Sequence, residues 1–215
     1  MNDANMVVPS RIVHKALLPY WKEFCSFNRA NEAIIDSDKL SKLYRFRARH
    51  RLATKLVSIH AEGFSEQTLR GYTAGLKLML AYSAAEILGS ALGEPVTQWE
   101  MIEPELAVSL RSILNRAGTR KDILFCKGQL RNRLEDFLKG TTDDVRIAAT
   151  ALRVMVAHGS FTPSGTDSLT IKGSQAISQL TDLMLKTAEK HFADYVVKSV
   201  TVTVNSTILP LTNLD

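Results

Sequence analysis

Apolar residues recur every three or four positions along almost the whole chain, a period that belongs to helices rather than strands. Leu, Ala, Arg, Lys and Glu, all good helix formers, fill the pattern. Glycine and proline interrupt it only 11 and 6 times in 215 residues, mostly where a helix has to end. The expected fold is all-α: an up-and-down helical bundle with extra N-terminal helices and a short extended C-terminal tail.

The punctuation places the elements. Arg11 to Asn28 reads as a helix kinked or split at Pro19. Asp36 or Ser37 caps a long helix from Asp38 to about Glu62, ended by Gly63. Ser65 caps the next, Glu66 to Leu92, closed by Gly93 and Pro95. Pro104 suits the first turn of a helix reaching about Arg116. Gly118-Thr119 opens another, ending near Gly140. Thr142, Asp143 and Asp144 mark the start of a helix that carries Arg153 and His158 and stops at Gly159. A loop follows to Gly165, and Ser174 caps a last helix from Gln175 to about Lys198. Ser199 to Asp215 alternates β-branched residues and reads as extended. Three regions result: a basic helical region over 1–63, a compact bundle over 64–198 and the tail over 199–215.

Composition narrows the function classes. With 45% apolar residues, the chain can bury a core. A formal charge of +5 permits a polyanionic partner without requiring one. Cys25 and Cys126 form no C-x-x-C pair and sit in no Cys/His cluster, so no zinc site is expected. Two lone cysteines point to a reducing compartment. No stretch nears the roughly 18 consecutive apolar residues of a membrane span. The N-terminus lacks a charged segment followed by an apolar one. The expectation is a cytoplasmic protein. P-loop, G-x-G-x-x-G, H-E-x-x-H and G-x-S-x-G motifs are all missing.

Two clusters of basic residues remain. Lys39 to Lys55 holds Lys42, Arg45, Arg47, Arg49, His50, Arg51 and Lys55, with Tyr44 and Phe46 interleaved. Such a run can follow a phosphate backbone. The plainer reading is a solvated helix face, with Leu40, Leu43, Phe46, Leu52 and Leu56 packed inward.

The second cluster is smaller. Ala148 to Gly159 is an apolar helix end that keeps one arginine, Arg153, and one histidine, His158. Arginine offers a planar fork of donors to a phosphate, and histidine titrates near neutral pH. The plainer reading puts His158 at the negative end of the helix dipole, with Arg153 in an ion pair to Asp143, Asp144 or Glu86. Spacing alone carries little, because Arg45 and His50 repeat it. The Glu103/Glu105 and Asp143/Asp144 pairs sit at helix starts and read as capping groups.

The stretch Leu152-Arg153-Val154-Met155-Val156-Ala157-His158-Gly159, followed by Phe161 and Thr162-Pro163, resembles the HEPN family of helical domains. That family carries Arg, four to six residues, then His-Gly, and a short loop before the last bundle helix. Leu76 to Glu86 is similar to an early helix of such bundles. The resemblance covers about residues 64 to 198. It departs at Val154, where the family's RNases usually place a polar residue. It implies a metal-independent endoribonuclease of toxin or defence type, with Arg153 and His158 of two chains meeting across a homodimer interface and Glu86 or Tyr82 supporting them. No cofactor is implied. The partners it implies are RNA or a nucleotide, and an antitoxin-like protein. The alternative is a non-catalytic dimerisation module that binds a protein or a nucleotide.

Chemistry points to the same dimer. Five residues along a helix separate two side chains by roughly 140° and about 7.5 Å. One histidine per chain supplies either the base or the acid of an RNA cleavage, whereas two chains supply both.

Overall fold

The computed structural model describes residues 18–30, 35–116, 126–158 and 171–207. Seven α-helices lie among them: α1 (Trp21–Ala30), α2 (Ser37–Lys55), α3 (Glu66–Leu92), α4 (Pro104–Leu114), α5 (Gln129–Lys139), α6 (Val145–Ala157) and α7 (Ile171–Thr207). A 3-10 turn, Val96–Gln98, follows α3. The described residues are all-α, and no helix among them is long and apolar enough to cross a membrane.

Local chemistry sets most of the ends. The Asp36 carboxylate accepts from the Lys39 backbone N–H at 3.1 Å and starts α2. The Ser65 hydroxyl accepts from the Thr68 N–H at 3.2 Å and starts α3. Gly93 ends α3 with φ +73°, a left-handed turn open to glycine. Gly89 is needed for a different reason. A Cβ there would lie 2.7 Å from the Glu94 carbonyl oxygen, where the chain folds back after the helix.

The core joins distant parts of the chain. α3 packs on α2, α6 and α7, and α7 also carries α1 and α4. Phe192 of α7 sits among Trp21 and Phe24 of α1 and Phe46 of α2, with ring centroids 5.8, 5.7 and 5.7 Å away. Residues on both sides of Gly63 therefore share one apolar cluster, from Leu18 to Val196.

Several expectations need correction. α2 stops at Lys55 instead of Glu62. Leu56 turns to an extended conformation, and the Ile59 N–H donates to the Thr73 hydroxyl of α3 at 3.2 Å. A tertiary contact captures the segment that propensity alone would keep helical. Leu52, expected inside, is 52% exposed. Ser174 lies within α7, where its hydroxyl donates to the Ile171 carbonyl at 3.0 Å instead of capping. The tail is not extended over Ser199 to Thr207, because α7 runs through it. Adding β-branched residues to a formed helix costs only about 0.7 kcal/mol each, less than starting a new element. The helix expected from Gly118-Thr119 begins only at Gln129, after a left-handed Gly128 with φ +59°, and its stretch before Cys126 falls outside the described residues, as do Arg11 to Leu17, the Gly159 to Gly165 loop and residues 208–215.

Candidate functional site

α6 places Arg153 and His158. Its N-terminus is capped by Asp144, whose carboxylate accepts from the Arg146 N–H at 3.1 Å. Ala148, Ala149, Ala151, Leu152 and Met155 are buried and hold the helix to the bundle. Toward its end the helix emerges. Arg153, Val154 and Val156 are half-buried, and Ala157 and His158 are exposed. His158 is the C-terminal cap, its N–H donating to the Val154 carbonyl at 3.0 Å. Val154, at the position where the resemblance departs, packs against the core.

α3 supplies the neighbours of Arg153. The guanidinium lies over the Tyr82 ring, 4.8 Å from its centroid, and Nη2 is 3.1 Å from Glu86 Oε2. The Tyr82 hydroxyl is 3.0 Å from Thr150 Oγ1. Thr150 spends its own proton on the Arg146 carbonyl at 2.9 Å, so Tyr82 is the donor. Of the three carboxylates the sequence offered to Arg153, Glu86 is the one it meets. Asp143 binds Arg111, and Asp144 binds Arg146.

The cations of this region divide into two kinds. Arg111 spans α4 to the α5–α6 turn, donating to the Phe137 and Thr142 carbonyls at 2.6 Å each and to Asp143. Arg146 is buried, held by Asp144 and the Thr97 carbonyl. Both are structural clamps. Arg153 keeps 38% of its side chain exposed, although Glu86 and Tyr82 fix its direction. Sequence reading missed the two clamps. Arg146 lies two residues after Asp144, just inside a helix start, and that spacing was the available signal.

Comparison with protein-family models, curated proteins and solved structures returns no match.

Tyr72, Leu76, Met79, Ser83 and Glu86 follow one another at three- and four-residue steps on α3, all at least partly exposed. This strip borders α6 through Gly75, whose missing side chain lets Val156 Cγ2 come within 3.4 Å of where a Cβ would sit, and through the Glu86–Arg153 pair.

The basic run sits elsewhere, on α2. Arg45, Arg47 and Arg51 are exposed, and Lys42 and Arg49 are half-buried. Lys42 hydrogen-bonds Asp38 at 2.6 Å and holds that carboxyl below the usual carboxylate range. His50 does not belong with them. It is 0% exposed and faces the core. Glu103 and Glu105 stand at the start of α4, as expected: Glu103 is its N-cap residue and Glu105 lies in its first turn. Glu103 makes no side-chain cap bond, and both line a cleft of about 480 Å³ with Asp182 and Lys186. No group of three or more metal-ligating side chains that could hold an ion occurs among the described residues.

Proposed function

We propose that this chain is a metal-independent endoribonuclease whose site forms when two copies bring their α6 ends together. The observation that carries the reading is the placement of Arg153 and His158. On a helix whose other cation is locked in a buried ion pair, these two reach the surface, side by side with an apolar two-helix face. The sequence resemblance to HEPN domains supplies the class of reaction.

In this reading one His158 takes the proton of a ribose 2′-OH. The freed oxygen attacks the adjacent phosphorus and the P–O5′ bond breaks. His158 of the second copy protonates the departing 5′-oxygen. The products are a 2′,3′-cyclic phosphate and a 5′-hydroxyl. Arg153 stabilises the charge on the pentacoordinate phosphorus, and Glu86 and Tyr82 hold its guanidinium in direction. The strip from Tyr72 to Ser83 and the half-exposed Val154 and Val156 form the seat for the second copy.

The test is incubation of a mixed RNA pool with purified protein in EDTA, beside His158→Ala and Arg153→Ala. Cleavage by the wild type alone, leaving cyclic-phosphate ends, is the expected result. Cleavage that persists in His158→Ala sinks the assignment. A second reading, a non-catalytic dimer module that binds a protein or a nucleotide, draws on the engagement of Arg153 by Glu86. It becomes the better account if a clean wild-type dimer cuts nothing.

A further inference from the structure

α2 presents an outward face that the bundle does not use. Ser41, Tyr44, Ala48 and Leu52 form its central line at three- and four-residue steps, with Tyr44 46% and Leu52 52% exposed. On one side of that line run Lys42, Arg45 and Arg49. On the other run Arg47, Arg51 and Lys55. From Leu40 to Lys55 there is no Asp or Glu.

The lack of counter-ions is the telling feature. Elsewhere several arginines are paired: Arg111 with Asp143, Arg131 with Glu135, Arg146 with Asp144, Arg153 with Glu86. Among the lysines and arginines of α2, only Lys42 forms an ion pair with a carboxylate among the described residues, and the buried His50, which meets Glu189, faces the other way. Arg47 instead lies 4.7 Å from the Trp21 ring, which stands edge-on to Tyr44 at 5.3 Å. Arg45 and Arg49, Arg47 and Arg51, and Arg51 and Lys55 are like-charge neighbours one turn apart, which weakens an isolated helix. Alternating signs along a helix face would avoid that penalty.

We propose that this face is a track for single-stranded RNA, with phosphates on the two rows of cations and an unstacked base on Tyr44. Single strands expose the π-faces of their bases, and an aromatic ring between cations is the arrangement that takes them. A duplex hides those faces, and the deep, narrow major groove of duplex RNA does not admit side chains. A membrane surface fits poorly, because an interfacial helix buries a broad apolar face. The broad face of α2, with Leu43, Phe46 and Ala53, is already in the core. The choice of RNA among polyanions rests on the function proposed above, whereas the track rests on α2 alone.

The experiment uses full-length His158→Ala protein, to prevent cutting, and a labelled single-stranded RNA of mixed sequence read by fluorescence anisotropy. Binding is expected to weaken as salt rises. The Arg49→Ala/Arg51→Ala pair should lower affinity about tenfold at low salt and flatten the salt dependence by roughly 0.7 per lost phosphate contact. Tyr44→Ala should weaken binding several-fold and Tyr44→Phe should restore it, which separates stacking from folding. Unchanged affinity in the arginine pair overturns the track. So does a preference for duplex RNA, for an acidic peptide or for phosphatidylserine vesicles. Strand binding by α2 in a protein whose wild type cuts nothing overturns the nuclease alone. Cleavage by a wild type whose binding ignores α2 overturns the track alone.

Discussion

His50 Nε2 lies 2.9 Å from Glu189 Oε1, joining α2 to α7 across most of the chain. The imidazole is fully buried, Phe46 stands edge-on to it at 5.7 Å, and Glu189 keeps 30% of its side chain in solvent. Losing the ring and losing the carboxylate therefore differ. His50→Ala should destabilise by about 3 kcal/mol, the scale of a large-to-small change in a core. Glu189→Ala should lose about 1–2 kcal/mol, since it leaves a buried ring nitrogen without its partner. Urea midpoints of the two variants check the order, and the reverse order would show that the charge matters more than the packing.

Arg146 and Arg153 share a helix but not a role. Arg146→Ala removes the nearer cation from a buried carboxylate, leaving Arg133 at 3.6 Å, and should destabilise by about 3 kcal/mol. Arg153→Ala breaks a half-exposed pair and should change stability by about 1 kcal/mol or less. Thermal unfolding of both variants decides this. Near-equal losses would make Arg153 a structural residue and weaken its assignment to phosphate.

Two α3 glycines should respond oppositely to alanine. At Gly75 the added methyl meets Val156 Cγ2 at 3.4 Å, an ordinary contact, so the better helix former should gain up to about 1 kcal/mol. At Gly89 it meets backbone at 2.7 Å, and the strained turn should lose about 2 kcal/mol. Denaturant melts of Gly75→Ala and Gly89→Ala give the signs directly.

The two thiols should separate by reactivity. Cys126 is buried, and burial pushes its thiol up, which disfavours the reactive thiolate. Cys25 is half-exposed. With a disulfide reagent at mildly alkaline pH, one thiol per native chain should react quickly and the second only in denaturant. Fast reaction of both would contradict the burial of Cys126.

Much of this arrangement can be read in the residues, and the remainder has identifiable causes. The bounds of α3 follow from Ser65 and Gly93, because caps act within one turn. The early end of α2 depends on Thr73, far along the sequence, and no local signal carries that contact. The Val-Thr alternation after Ser199 misleads because β propensity is weak beside a helix already formed. Within the candidate site, Arg153, His158 and Glu86 were visible as residue types. Which carboxylate meets Arg153 was not, since that depends on how α6 packs against α3. His50 stood in a basic run and proved to be a core residue, because each step along a helix turns by about 100°, so a position beside exposed arginines can face inward.

The aromatic cluster around Phe192 also bears on how the gene could be divided. The link between α2 and α3 is accessible, with Val57 89% exposed, so a protease can nick the chain there. Neither piece would then hold a complete interior: α1 and α2 would lose Phe192, and the remainder would lose Trp21, Phe24 and Phe46. Expressed separately, the two halves should each be poorly folded yet assemble when mixed, like the parts of a split reporter.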